Sequence, residues 1–159
     1  MRKLLVGAVM AMIAVAGGAS IAAAADTDPV VGTWQLNAQK STFSSGPALK
    51  SQTRTYSQSG DKITLVMATV GPDGKEVTTH TTYQLNGKDF PVTGAPDYDS
   101  LTAKRINTNT AEFTLKKAGK EIGTTSRTVS KDGKTLTAKT NVTTAAGEKS
   151  QNTLVFDRK

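Results

Sequence analysis

A series of turn signals constrains this chain more than any other feature. Gly60-Asp61-Lys62, Asp73-Gly74-Lys75, Asn86-Gly87-Lys88, Gly119-Lys120, Asp132-Gly133-Lys134 and Gly147-Glu148 punctuate the sequence. Asn107-Thr108-Asn109 is a further candidate. Asn-Gly and Asp-Gly supply the positive φ angles that tight hairpins demand, and Asn tolerates the left-handed region. The segments between these signals run to roughly 7–11 residues, the spacing of a hairpin meander in a barrel or sandwich.

Ten strands are predicted, at 31–37, 52–59, 62–70, 76–85, 88–92, 99–106, 111–118, 121–130, 135–144 and 150–158. Period-two alternation supports them. Ile63, Leu65 and Met67 share a face, as do Val77, Thr79, Thr81, Tyr83 and Leu85. Further sets are Ala111, Phe113 and Leu115; Leu136, Ala138, Thr140 and Val142; and Leu154, Phe156 and Arg158. Frequent Thr favours strands because β-branched side chains fit a pleated surface. No window carries a helical stripe. The stretch 38–51 is the longest irregular one and reads as a loop across one end. Pro91 and Pro96 interrupt the fifth strand, and proline cannot donate to a ladder. That strand is therefore short, or lies at an edge or gap. About ten twisted strands do not stay flat, and closure removes sticky edges. The expected fold is all-β, a single antiparallel up-and-down barrel, with a sandwich as the alternative. Ten strands leave room for a modest ligand, whereas eight leave little.

The first 25 residues are of another kind. Arg2 and Lys3 precede an uncharged apolar run from Leu4 to Ile21, and Ala23-Ala24-Ala25 offers a small-residue cleavage pattern before Asp26. Residues 1–25 read as a secretory signal peptide and 26–159 as the folded domain. An uncleaved anchor is the alternative that the length of the run permits. The 159 residues contain no cysteine, so a disulfide scaffold and a lipoprotein anchor are both excluded. The expectation is a periplasmic or secreted protein without a stable membrane anchor. Cleavage leaves 18 basic against 13 acidic side chains, a balance of +5.

Gly32-Thr33-Trp34 resembles the Gly-x-Trp opening of lipocalins and fatty-acid-binding proteins, the calycin group. The resemblance implies that Trp34 packs across a closed barrel end. It also implies that a basic residue from the end of the meander, Arg158, lies against the indole, with cation–π attraction added to packing. Gly32, Trp34 and Arg158 are thus the expected closure. The chain is also similar to small uncharacterised secreted bacterial proteins that carry Gly-Thr-Trp, Phe-Ser-x-Gly-Pro, Asp-Gly-Lys and Pro-Val-Thr-Gly, here at 32–34, 43–47, 73–75 and 91–94. It departs from the fatty-acid-binding proteins twice. The stretch 38–51 is too short and too rich in Ser, Gly and Pro for their helix pair. Phe156-Asp157-Arg158 stands in place of their Arg-x-Tyr carboxylate clamp.

Little else in the sequence carries chemistry. His80 is the only histidine, no Gly-x-Ser-x-Gly elbow supports a triad, and one His without Cys excludes the usual zinc ligand set. Asp97-Tyr98-Asp99 lacks the oxygen count of a calcium loop and reads as a polar turn. No phosphate-cradling loop precedes a helix, and the lysines are spread over separate turns with few aromatics, so neither a nucleotide cofactor nor nucleic acid is expected. The reading is an exported, non-enzymatic binding protein without cofactor or metal. It would carry a small apolar or amphiphilic molecule in the barrel. Tyr56, Met67, Tyr83 and Phe113 would line the cavity, with Arg54, Arg105 or Arg127 meeting an anionic head. A charge buried without a partner is costly. The opposing readings are that these arginines point outward, and that the domain is an interaction or inhibitor module with a filled core.

Overall fold

The computed structural model describes residues 26–44, 46–144 and 146–159, so the segment read as a signal peptide lies outside the described residues. Eleven strands follow one another: β1 (Gly32–Leu36), β2 (Thr42–Phe43), β3 (Ser51–Ser59), β4 (Lys62–Val70), β5 (Glu76–Tyr83), β6 (Asn86–Thr93), β7 (Ser100–Asn107), β8 (Thr110–Lys117), β9 (Lys120–Val129), β10 (Thr135–Thr143) and β11 (Lys149–Arg158). Each of β3 to β10 pairs with the next in antiparallel register, and β1 pairs with β3. β11 returns to β1 through Trp34↔Arg158 and Leu36↔Phe156. β1 and β3 to β11 therefore close a ten-stranded barrel, and β2 is added beside β11.

All ten expected strands are present, but two local expectations are corrected. The stretch 38–51 is not wholly irregular. Ala38–Lys40 form a 3-10 turn capped by Asn37, whose side chain accepts from the Lys40 amide, and β2 follows it. The Ser41 hydroxyl donates to the Asn37 carbonyl at 2.7 Å and accepts from the Val155 amide at 2.9 Å. One small side chain thus keeps the kinked strand beside β11. The second correction concerns Asn86-Gly87, which is not a hairpin turn. Register passes from Asn86↔Lys104 to Asp89↔Thr102, so β6 carries one extra residue. Gly87, at φ +78°, occupies this bulge. A positive φ serves a bulge as readily as a turn. β5 and β6 pair only at His80↔Thr93 and Thr81↔Val92 and then part, the gap that Pro91 foreshadows. The Thr81 hydroxyl donates to the Pro91 carbonyl at 3.0 Å where the ladder runs out.

The inward side chains follow the period-two phase of the sequence and differ with height. Toward the end crossed by residues 26–31, Trp34, Leu136, Ala138 and Phe156 are fully sealed. Each large apolar side chain so buried contributes about 1.5–3 kcal/mol. Toward the other end Leu65, Met67, Thr69, Val142 and Asn152 share the inward phase yet remain partly exposed, and Val77 at the rim is exposed, while Gln52, Thr79, Leu101, Leu115 and Ser150 of the same phase are buried. The barrel thus has a closed half and an open half.

Candidate functional site

Closure is built around Trp34. Its indole Nε1 donates to the Val30 carbonyl at 2.7 Å. The Arg158 guanidinium lies 4.1 Å from the centre of the ring and donates to the carbonyls of Pro29, Val31 and Gly133. Gly32 makes room for it: at φ +134°, a Cβ there would stand 2.5 Å from Arg158 Nη1. Glycine suits position 32 twice over, because φ +134° strains any other residue and a Cβ there would crowd the Arg158 guanidinium where it lies on the indole.

Above this lid sits a buried charge cluster that the sequence reading missed. Asp28 belongs to the arm ahead of β1, and its carboxylate is 2% exposed. Oδ1 accepts from the Val30 amide at 2.9 Å, and Oδ2 lies 2.8 Å from Arg105 Nη2. Oδ1 also lies 3.6 Å from Arg127 Nη2, whose side chain is 3% exposed. Arg127 Nη1 donates to the Tyr83 hydroxyl at 2.7 Å, and its guanidinium lies against the rings of Tyr56 (5.6 Å) and Phe113 (5.4 Å). Tyr83 and Phe113 meet edge to face at 5.3 Å. Burial pushes the Tyr83 phenol well above its ordinary range, against the opposing pull of Arg127. Burial also disfavours the Arg127 cation, but Tyr83, Tyr56 and Asp28 outweigh it and the net shift is upward. The pair is a neutral phenol beside a permanent cation.

The seven candidate ligand residues all take the inward phase, and the structure divides them. Arg105 and Arg127 both meet Asp28, a carboxylate of the chain itself. Tyr56 and Tyr83 pack in the closed half around Arg127. Phe113 reaches the boundary between the halves. Met67 and Arg54 face the open half. His80 stands exposed on the outer face of β5.

Arg54 is held differently from the other two arginines. Its guanidinium lies 4.4 Å from the centre of the Phe156 ring, and Nε donates to Gln52 Oε1 at 2.9 Å. Gln52 is itself fixed, with Nε2 donating to the Thr69 hydroxyl at 2.8 Å and its carbonyl accepting from Gln35. Tyr98, from the loop between β6 and β7, packs against the core nearby. Burial raises its phenol pKa, and the Arg54 charge opposes the rise. Asp99, at the end of this loop, accepts from the Ala118 amide at 2.9 Å, which ties the loop to the β8–β9 turn.

Two surface hollows lie away from the open half. One, of about 280 Å³, opens between Asp26, Asp61, Leu85 and Arg105, where β5 and β6 part. The other, of about 300 Å³, lies over Thr128, Thr137 and Lys139 on the outer face of β9 and β10. Among the described residues no cluster of three or more His, Cys, Asp or Glu could hold a metal ion.

No protein-family model and no curated protein matches the chain. Solved structures do. EF1p2_mFAP2b bound to DFHBI aligns with a TM-score of 0.51 at 13% identity, over 82% of this chain and 94% of that chain. Zebrafish ileal bile acid-binding protein complexed with cholic acid aligns with a TM-score of 0.50 at 12% identity, over 82% and 99%. Such identities speak to fold alone. With the ten-stranded closure and the Trp34–Arg158 lid, they identify the fold as a calycin-type β-barrel.

Proposed function

We propose that the protein is an exported, non-enzymatic binding protein that carries a small apolar or amphiphilic molecule in the open half of its barrel. One observation carries this reading: Trp34, Leu136, Ala138 and Phe156 are sealed at the lid end, whereas inward Leu65, Met67, Thr69, Val142 and Asn152 toward the other end are partly solvent-accessible. A barrel built only to hold itself together buries its inward positions along the whole length. The two barrels of this fold described above are each bound to a small organic molecule. The exposed outer-face position of His80 supports a role other than catalysis. Export rests on the character of residues 1–25.

The rival reading is an interaction module with a filled interior. It draws on the dense packing around Trp34 and on the two hollows, both of which lie outside the open half. Native mass spectrometry of protein taken from its own cellular compartment separates the two. A retained mass that organic solvent releases supports the carrier. An unliganded protein that also takes up no hydrophobic dye in vitro overturns it.

A further inference from the structure

Three arginines take the inward phase, Arg105 being exposed at the lid end, and one of them lacks an acidic partner among the described residues. Arg105 and Arg127 both meet Asp28. Arg54 pairs with no carboxylate among the described residues, and no described residue accepts from its Nη1 or Nη2. Its surroundings are nevertheless fixed. Gln52 holds Nε, the Phe156 ring supports one face of the guanidinium, and Thr69 and Gln35 hold Gln52. With Nε occupied, the Nη1–Nη2 edge remains as a planar pair of donors. That edge matches two oxygens of a carboxylate, sulfonate or phosphate, which an ammonium cannot do. Phe156 is fully sealed while Arg54 is partly exposed, so the guanidinium lies at the boundary between the closed and open halves.

We infer that the open half selects amphiphiles with a single anionic head, which is held by the Nη1–Nη2 edge of Arg54 while the apolar body lies along Leu65, Met67 and Leu154. The inference rests on the interior-binding reading above and adds the charge of the ligand and its anchor. The anchor stands on β3 and does not depend on a clamp in β11, which this chain lacks. Asp28 pairs with both Arg105 and Arg127, which leaves Arg54 as the arginine of the three with no carboxylate beside it among the described residues.

Two dyes that differ by one group test this. N-Phenyl-1-naphthylamine is neutral, and 8-anilinonaphthalene-1-sulfonate is the same skeleton with a sulfonate. In Arg54→Gln, the sulfonate dye is expected to bind about tenfold or more weakly, the loss of hydrogen bonds to a charged group. The neutral dye should hold its affinity within about twofold, which also shows that the variant is folded. Arg54→Lys should recover part of the sulfonate affinity, and Lys139→Gln on the outer face should change neither dye. If Arg54→Gln does not fold, the wild-type protein decides: decanoate and decyl phosphate must each displace the neutral dye better than decanol. Their ranking tells a carboxylate ligand from a phosphate one. Binding of both dyes with no dependence of the sulfonate dye on Arg54 overturns the anion inference and leaves the carrier reading standing. Failure of both dyes to bind overturns both.

Discussion

Asp28→Asn removes the one buried carboxylate among the described residues and keeps the shape of the side chain. The Asn carbonyl can still accept from the Val30 amide, so the change isolates the charge. Arg127 then remains a cation at 3% exposure with no anion beside it. Breaking a buried pair in this way costs about 3–5 kcal/mol. The retained amide bond and the Tyr83 hydroxyl place this case near the lower end, at about 3 kcal/mol. Arg105 adds little, because its side chain is 42% exposed and water screens it, leaving about 0–1 kcal/mol. Against a total stability of about 5–15 kcal/mol, the variant gives up a fifth or more of what holds the domain together. Urea unfolding of the mature chain measures this, with emission from Trp34, the only tryptophan, as the probe. The cycle is completed by Arg127→Met, alone and combined with Asp28→Asn. The coupling should be about 2 kcal/mol or more, and the double variant should be less damaged than the sum of the two single ones. Additive losses, or a cost below about 1 kcal/mol for Asp28→Asn, would show that the cluster is not an electrostatic unit.

Three further outcomes follow from the geometry. Gly32→Ala should cost about 2 kcal/mol through backbone strain and loss of the Arg158 stack; a lower melting temperature with red-shifted Trp34 emission confirms it, and unchanged emission refutes it. Ala118 is the one non-glycine residue in the left-handed region among the described residues, at φ +49°, ahead of Gly119 at +76°. Ala118→Gly should therefore raise stability by up to about 1 kcal/mol, read as a higher urea midpoint, and a lower midpoint counts against the turn geometry. The Tyr83 and Tyr98 phenols titrate above the ordinary value in the folded state, chiefly through burial. A group with a raised folded pKa stabilises fully below its unfolded pKa, about 10 for tyrosine, and loses that contribution as pH climbs further. Phenolate absorbance in the folded protein should accordingly lag behind the unfolded chain above about pH 10, with stability falling over the same range; three tyrosines ionising together near 10 in the folded state would contradict the burial.

Strand count, phase and closure were legible because each is set by local chemistry that repeats. Ile63, Leu65 and Met67, or Leu136, Ala138 and Thr140, declare an inward face by alternation alone. Gly32, Trp34 and Arg158 were legible as a lid through their resemblance to the calycin opening, not from alternation. The positive φ at Gly87 was legible too, but not its use, since a bulge and a hairpin ask the same thing of the backbone. Asp28 was hidden for another reason. It lies in an arm with no period, three residues past Ala25, where an acidic residue looks like solvated spacer. Only closure, which brings residue 28 beneath residues 105 and 127, makes it a counterion. The division among the arginines was unreadable for the same cause: phase puts Arg54, Arg105 and Arg127 on the same inward surface, and only the third dimension decides which of them meets the carboxylate.

Inward threonine carries a signal that alternation alone does not use. In the closed half the inward positions include Trp34, Tyr56, Ile63, Tyr83, Leu136, Ala138 and Phe156, with Gln58, buried Thr81 and one Asp–Arg cluster. In the open half Thr69, Thr125 and Thr140 take the same phase, with Gln52, Ser150 and Asn152. A hydroxyl sealed in an apolar core without a partner costs on the order of 1–3 kcal/mol, so a dry interior selects against it. Where such a group has a hydrogen-bond partner, as buried Gln52 has in Thr69 and Arg54, that cost is met. These hydroxyls also keep one another partnered: Thr125 and Thr140 meet at 3.0 Å, and Thr69 accepts from Gln52. β10 shows the change within a single strand, running inward from Leu136 and Ala138 to Thr140 as it leaves the sealed half. Along β10 the partnered Thr140 thus stands where the inward phase leaves the fully sealed Leu136 and Ala138.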